Sequence, residues 1–181
     1  NFTEDITIPG RKLFDIGKGL PDDSIIEIEK KDEGKLQIES KKSKFTLSAL
    51  DAKTFPMMES QDETSTELSI NSSDIKNVIN KTSFAMAQQD VRYYLNGLFI
   101  KVTDKDLIGV ATDGHRLAKA GALLETASDR ELSAIVPRKG IIEIDKQIEE
   151  DKKIRVAVSK NHMQVDSGDA TAITKLIDGK F

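Results

Sequence analysis

The chain has 181 residues, of which 38% are hydrophobic and 32% charged, and its 27 basic and 31 acidic side chains give a net charge of −4. This balance is typical of a soluble globular protein and excludes a disordered one, while the absence of cysteine excludes disulfides and thiolate zinc sites. No apolar run approaches the roughly 20 residues that a membrane helix needs, and residues 1–5 lack signal-peptide character. We therefore expect a cytoplasmic protein without membrane contact. Because the first residue is not Met, we also expect a piece of a longer chain.

The first predicted elements are a short strand, a helix and three further strands. Residues 6–8 are β-branched and precede Pro9, a residue that is tolerated in the first turn of a helix. Ile16 and Leu20 share one face of the predicted helix, and alternation predicts strands over residues 24–29, 35–40 and 44–49. Phe45 and Leu47 fall on one face of the last strand. Residues 57–66 are polar, acidic and without periodicity, which predicts a linker.

The same order of elements follows the linker twice. After a strand, Ile75, Val78 and Ile79 recur at helical spacing, with Ser72 or Ser73 as the expected cap. Strands are predicted over residues 93–102, 107–112 and 116–120, and the first of them would place Tyr93 and Tyr94 on opposite faces. A helix after Pro137 and strands over residues 154–159, 163–167 and 171–176 complete the pattern.

An internal repeat underlies this order. Residues 6–16 match residues 134–144 at a shift of 128 positions, and residues 50–55 match residues 176–181 at a shift of 126. Residues 68–75 begin a further copy of the repeat. Three βαβββ repeats predict an α+β fold, with helices on one face of antiparallel sheets. One repeat lies in residues 1–56 and a pair lies in residues 67–181.

Two polar segments, residues 88–97 and 111–118, are the candidate functional regions. Asp113 and His115 have the spacing of an acid–base dyad on an extended segment, but no convincing nucleophile lies near them in the sequence. The chain has only two histidines, which supply a metal site poorly. We therefore predict no catalysis, metal or cofactor, and the alternative is a small hydrolase that His115→Ala would inactivate. Basic residues recur where the first and the third predicted helices begin, and this recurrence predicts a shared electropositive surface.

The segments 90–97 (DVRYYLNG) and 111–118 (ATDGHRLA) resemble those of the bacterial DNA polymerase III β subunit family, the sliding clamps. Residues 135–140 and 175–181 support the resemblance, which extends over essentially the whole chain. It implies a DNA-clamp fold, in which residues 1–56 are the second half of the first clamp domain. Residues 67–181 would then be the second clamp domain, truncated at its C-terminal end.

The resemblance also implies a function and its residues. The full-length protein would be a homodimeric ring that encircles double-stranded DNA without sequence preference. It would tether the DNA polymerase III α subunit, the clamp loader and other proteins with clamp-binding motifs. The implied DNA-binding residues are Arg11, Lys12, Gln89, Tyr93, Tyr94, Arg138 and Lys139. The implied peptide-binding pocket comprises Leu95, Thr112, Gly114, His115, Arg116, Leu117 and Ile177. The implied ring interface comprises Ile16, Leu20, Phe45 and Leu47. The alternative is a scaffold of the same fold that binds partner peptides without DNA.

Overall fold

The computed structural model describes residues 5–31, 34–56 and 65–181. The chain folds as two units, Asn1–Met58 and Glu59–Phe181. The predicted linker, residues 57–66, lies outside the described residues except for its last two, and Thr66 already belongs to a strand.

The first unit contains one of the predicted repeats. Its described elements are β1 (Ile6–Thr7), α1 (Gly10–Gly19), β2 (Glu27–Lys31), β3 (Lys35–Ser40), β4 (Ser43–Ser48), β5 (Leu50–Asp51) and a 3-10 turn (Ala52–Thr54). Strands β2, β3 and β4 form an antiparallel sheet in that order, and β1 pairs with β5. Strand β2 begins later than predicted, because Ser24 closes a turn by donating its hydroxyl to the Pro21 carbonyl at 2.6 Å.

The core of the first unit uses residues that we had assigned to a ring interface. Phe45 and Leu47 share one face of β4, but that face is turned inward. Leu47 is only 6% exposed and belongs to the core cluster, against which Ile16 and Phe45 also pack. The alternation that places Leu47 and Phe45 on the same face of β4 directs both side chains to the core, so Leu47 makes its apolar contacts within the unit. Leu20 is half-buried at the end of α1.

The second unit contains the other two repeats. Its elements are β6 (Thr66–Asn71), α2 (Ser72–Thr82), a 3-10 turn (Ser83–Ala85), a 3-10 turn (Tyr93–Leu95), β7 (Gly97–Thr112), β8 (Leu117–Pro137), α3 (Arg138–Gln147), β9 (Lys153–Val158), β10 (His162–Asp166) and β11 (Thr171–Lys175). Strands β6, β9, β10 and β11 form one antiparallel sheet, and β7 pairs with β8 along a bent ladder. The predicted combination of helices with antiparallel sheets is thus confirmed.

The two repeats of the second unit exchange their first strands. β6 opens the earlier repeat but pairs with β9 of the later one, with Ile70 opposite Ile154. The last part of β8 opens the later repeat but pairs with the first part of β7, with Leu98 opposite Val136. A bridge between Ile135 and Ile177 closes the later repeat, much as the β1–β5 pair closes the repeat of the first unit. The exchange makes the second unit a single body with one continuous core.

Helices α2 and α3 bury one face each in that core. Ile75, Val78 and Ile79 are at most 2% exposed, which confirms the predicted face of α2. The predicted serine cap is wrong, because Asn71 precedes the helix and Ser72 is its first residue. Ser72 is fully buried, and its hydroxyl oxygen accepts the Lys152 N–H at 2.9 Å. This serine joins the start of α2 to the start of β9 instead of capping its own helix.

Candidate functional site

The segment from Gln88 to Gly97 is a closed loop and not the start of a strand. The Asn96 side chain holds Asp90 from both sides, since its Oδ1 accepts the Asp90 N–H at 2.9 Å and its Nδ2 donates to the Asp90 carbonyl at 2.9 Å. Tyr93–Leu95 therefore forms a 3-10 turn, and the predicted strand over residues 93–102 begins only at Gly97. Local bonds from a side chain to the backbone outcompete the strand here. Tyr93 is 60% exposed and Tyr94 half-buried, with their rings edge to face at 6.1 Å.

The second segment is a tight turn at the tip of the β7–β8 hairpin. Thr112 lies opposite Leu117, and its hydroxyl donates to the Arg116 carbonyl at 2.6 Å while accepting the Gly114 N–H at 3.1 Å. Asp113 Oδ1 accepts the N–H groups of His115 and Arg116, both at 3.0 Å. Gly114 has a φ of +89°, which glycine adopts without strain. These bonds make the turn a small rigid unit on the surface.

The alternative interpretation as a hydrolase would pair the Asp113 carboxylate with the His115 side chain, but the carboxylate makes other hydrogen bonds. The Asp113 carboxylate accepts the backbone N–H groups of His115 and Arg116, and the Arg116 guanidinium at 3.0 Å. The backbone hydrogen bonds are the main cause that lowers the pKa of Asp113 below its usual value, with the Arg116 guanidinium adding to them. Asp113 thus orients the turn as a carboxylate.

Arg92 joins the two segments, and sequence reasoning did not single it out. Its Nε and Nη2 donate to the two carboxylate oxygens of Asp90 at 3.0 and 2.8 Å, and Nη2 also donates to the Asp113 carbonyl at 3.3 Å. The Arg92 guanidinium and backbone N–H lower the pKa of Asp90 to about 2. The only sequence signal was that both segments were polar, because the contact joins residues 21 positions apart.

A second connection runs through the 3-10 turn that follows α2. The Arg116 guanidinium lies over the ring of Phe84, 5.7 Å from its centroid, and Phe84 is 56% exposed. The Ser83 carbonyl accepts Nη1 of Arg138 at 3.4 Å, and the Arg138 N–H donates to the Asn96 carbonyl at 2.9 Å. The start of α3 therefore lies against the loop of residues 88–97.

Some of the predicted DNA-binding residues lie together at this place. Gln89 is exposed in a left-handed conformation with a φ of +57°, in the loop that also holds Tyr93 and Tyr94. Arg138 is half-buried by its contacts and Lys139 is exposed. Arg11 and Lys12 are exposed in the first turn of α1, in the first unit.

The predicted pocket residues differ in how they are exposed. Leu117 is 66% exposed, whereas Leu95 is 6% exposed, so Leu95 supports the surface from below and does not form an open apolar floor. Gly114, His115 and Arg116 are exposed, and Thr112 is half-buried. Ile177 is half-buried and donates its N–H to the Ile135 carbonyl at 2.9 Å.

Ile177 also lies close to the start of β7. A Cβ added to Gly97 would come within 3.1 Å of Ile177 Cδ1, which places this side chain next to the strand that follows Leu95. The hairpin tip meets the loop of residues 88–97 through the bond from Arg92 to the Asp113 carbonyl, and Arg116 lies over Phe84 of the neighbouring 3-10 turn.

Within the described ranges, no group of three or more histidine, aspartate or glutamate side chains is arranged to hold a metal ion. Among the helices of those ranges, none has the length and apolar character to cross a membrane.

Two family models match the chain in succession. The model of the DNA polymerase III beta subunit N-terminal domain matches residues 2–59. The model of the central domain of the same subunit matches residues 69–181.

Known proteins with similar sequences and folds are sliding clamps. The beta sliding clamp of Pseudomonas aeruginosa is 44% identical over 178 residues, which are 98% of this chain and 48% of that protein. A crystal structure of the DNA polymerase III subunit beta from Pseudomonas aeruginosa has a TM-score of 0.90 at 45% identity, covering 97% of this chain and 48% of that one. The sliding clamp of the same organism bound to griselimycin has a TM-score of 0.89 at 44% identity, covering 97% and 47%. The predicted α+β clamp fold is confirmed, and the chain spans about half the length of the curated relatives it matches.

Proposed function

The chain belongs to the DNA polymerase III beta subunit family, and from this we propose that it is part of a sliding clamp that encircles duplex DNA. The clamp acts in the cytoplasm by holding partner proteins on DNA, and it catalyses no reaction. The partners are the replicative polymerase, the clamp loader and other proteins that carry a clamp-binding peptide. The observation that carries the proposal is the surface at the start of α3, where Gln89, Tyr93 and Lys139 are exposed around one loop.

This surface suits DNA binding without sequence preference. A sliding contact needs donors to phosphate oxygens and no reading of base edges, and the Gln89 amide, the Tyr93 hydroxyl and the Lys139 ammonium are such donors. The N-terminus of α3 adds positive potential for a phosphate. Arg11 and Lys12 supply the same chemistry at the start of α1.

Salt dependence tests the DNA contact. We expect weak binding of duplex DNA, measured by fluorescence anisotropy, and each phosphate contact contributes about −0.9 to the slope of log K against log salt. Lys139→Ala should reduce the magnitude of that slope by about one contact, whereas Lys160→Ala, which removes an exposed lysine between β9 and β10, should leave it unchanged. Tight binding that ignores salt or depends on sequence would contradict the proposal. Peptide binding without any DNA binding would favour the alternative scaffold.

The peptide site is proposed at the tip of the β7–β8 hairpin. Leu117 offers exposed apolar surface there, and His115 and Arg116 flank it with polar groups, which is the mixture that small binding sites use. Gly114 lets a bound chain approach the backbone closely. We further propose that griselimycin, found bound to the Pseudomonas aeruginosa clamp, binds here.

A pair of leucine variants tests this site by calorimetry. Leu117→Asp should weaken griselimycin binding about tenfold or more, because burying a leucine contributes about 1.5–3 kcal/mol and a charge there is poorly solvated. Leu123→Asp is the matched control, since Leu123 is 72% exposed on the same strand. Equal affinities of the two variants would place the site elsewhere.

The contact that closes the ring is proposed on the first unit around the half-buried Leu20 and Phe45, with Ile16 and the buried Leu47 supporting them from the core side. Strand β4 has β3 as its partner on one side and is an edge of the described sheet, and its Phe45 is half-buried. In the full-length subunit, Phe45→Asp should shift the protein from dimer to monomer in analytical ultracentrifugation. Phe45→Leu, which keeps the apolar packing on the core, should remain dimeric. A Phe45→Asp subunit that stays folded and fully dimeric would count against this interface.

A further inference from the structure

Arg92 donates hydrogen bonds to acceptors in both polar segments, residues 88–97 and residues 111–118. Its backbone N–H donates to Asp90 Oδ1 at 2.8 Å, and its guanidinium spans both Asp90 carboxylate oxygens and the Asp113 carbonyl. Bonds in which a charged group takes part are stronger than neutral ones, so the side chain cannot rotate away without losing several of them at once.

The Asp90 end is anchored to the body of the second unit. Asn96 fixes the Asp90 backbone through two side-chain bonds of 2.9 Å each, and the Asn96 carbonyl accepts the Arg138 N–H at the start of α3. A continuous series of hydrogen bonds therefore leads from α3 through Asn96, Asp90 and Arg92 to the hairpin tip.

At the Asp113 end, Arg92 supplies the hydrogen bond that joins the turn to the loop of residues 88–97, while the Arg116 guanidinium lies over Phe84. The bonds of Thr112 and Asp113 described above shape the turn internally, but they do not tie it to the loop of residues 88–97. Gly114 packs on the Arg92 guanidinium, because a Cβ placed there would lie 2.9 Å from Nη2. The turn thus rests on Arg92 through a hydrogen bond and through close contact.

We infer that Arg92 is a positioning residue, which holds the Asp113–Arg116 turn against the loop of residues 88–97 so that the peptide-binding rim is preformed. The inference rests on the proposed peptide site and names the residue that keeps it in shape. Since Gln89 and Tyr93 belong to the same loop, the arginine also makes the DNA-side loop and the peptide rim one rigid body.

The order of the turn in this chain is the primary test. In Arg92→Ala, we expect the amide hydrogens of Gly114, His115 and Arg116 to exchange about threefold to tenfold faster by NMR, because a hydrogen bond to a charged group is lost at a partly exposed site. The matched control is Arg130→Ala, which removes an exposed arginine from β8. The urea midpoint of Arg92→Ala should lie only slightly below that of Arg130→Ala, because the lost ion pair with Asp90 is partly exposed. Unchanged exchange in Arg92→Ala would overturn the inference.

The affinity for griselimycin distinguishes a positioning role of Arg92 from a general contribution to stability. Griselimycin should bind Arg92→Ala about tenfold more weakly than Arg130→Ala, although the two variants differ little in stability. A merely structural role would lower affinity only in proportion to the loss of stability. Unchanged affinity in a variant with a loosened turn would overturn the link to the rim. If the unaltered chain does not bind griselimycin, the proposed peptide site fails, and amide exchange alone decides the role of Arg92.

A second variant covers the case in which Arg92→Ala does not fold. Asp90→Asn keeps the two backbone bonds with Asn96 but weakens the hold on the guanidinium. It should raise the exchange rates of the same three amides, by less than the direct substitution would. Unaltered rates in Asp90→Asn would then overturn the inference.

Discussion

Gly97 is the position where a single methyl group should disturb the fold and the candidate site together. It begins β7 two residues after Leu95, and a Cβ built on it would lie 2.5 Å from the Val136 carbonyl oxygen and 3.1 Å from both Ile135 Cγ2 and Ile177 Cδ1. Atoms of this kind normally stay about 3.5 Å apart. In Gly97→Ala, β8 and the Ile177 segment must therefore move away from β7, and the carbonyl cannot rotate aside as a side chain can.

The size of the effect follows from those contacts. Overpacking a core costs about 1–3 kcal/mol, and the backbone displacement at a strand pair brings Gly97→Ala to the upper end of that range. With a urea dependence of about 2 kcal/mol per M for a unit of this size, the unfolding midpoint should fall by about 1.5 M. Circular dichroism during urea titration measures this shift, and griselimycin affinity should fall with it because Ile177 is displaced.

The control uses the same chemical change where space is free. A Cβ on Gly17 in α1 meets nothing within 4 Å, so Gly17→Ala should stabilise the first unit by up to about 1 kcal/mol. An unchanged urea midpoint in Gly97→Ala would refute this reasoning, because β7 and β8 would then have moved apart without any loss of stability.

Three further perturbations test other features. Gln89→Gly should raise the free energy of unfolding by up to about 1 kcal/mol by relieving the left-handed backbone, and it should weaken DNA binding; a loss of stability on calorimetry would be the contrary result. The folded-state pKa of Asp90 is about 2, below the ordinary 3.8, so its contribution to stability is complete above pH about 4 and is lost as the pH falls towards 2. Asp90→Asn should consequently show a shallower loss of stability in acid denaturation, and an identical acid profile would contradict this. Ser72→Ala should lower the free energy of unfolding by about 1–3 kcal/mol, because it leaves the Lys152 N–H without its acceptor. Thermal unfolding at neutral pH measures this loss, and an unchanged stability would contradict the prediction.

Elements with a strong local pattern could be predicted from the sequence. Helix α2 was, since Ile75, Val78 and Ile79 mark a face that any core must bury. The repeat also predicted the order of strands and helices, because each copy carries the same alternation and the same helix start. The residue sets for DNA and peptide came from resemblance, and they stay predictions until variants are measured.

Features decided by distant or competing contacts could not be predicted. Tyr93 and Tyr94 have the β propensity of a strand, yet the Asn96 side chain closes a loop around them. The pairing of β6 with β9 could not be predicted from the sequence either, because alternation indicates which face of a strand is buried but not which strand lies next to it. The role of Arg92 depends on its bond to Asp113, which lies 21 positions further along the chain, and a local sequence pattern does not predict such a contact.

The exchange of first strands between the repeats delays folding of the second unit. Ile70 of β6 must wait for Ile154 of β9, a separation of 84 positions (154 − 70) along the chain. Loop closure over such a distance precedes any gain from pairing, and folds rich in non-local pairs are slow. On the ribosome, β6 and α2 emerge several seconds before β9 is synthesised, at about 5–20 residues per second. Helix α2 can pack on β7 and β8 as they appear, but β6 stays without its partner strand until β9 is made, so a chaperone that shields β6 should help this unit to fold.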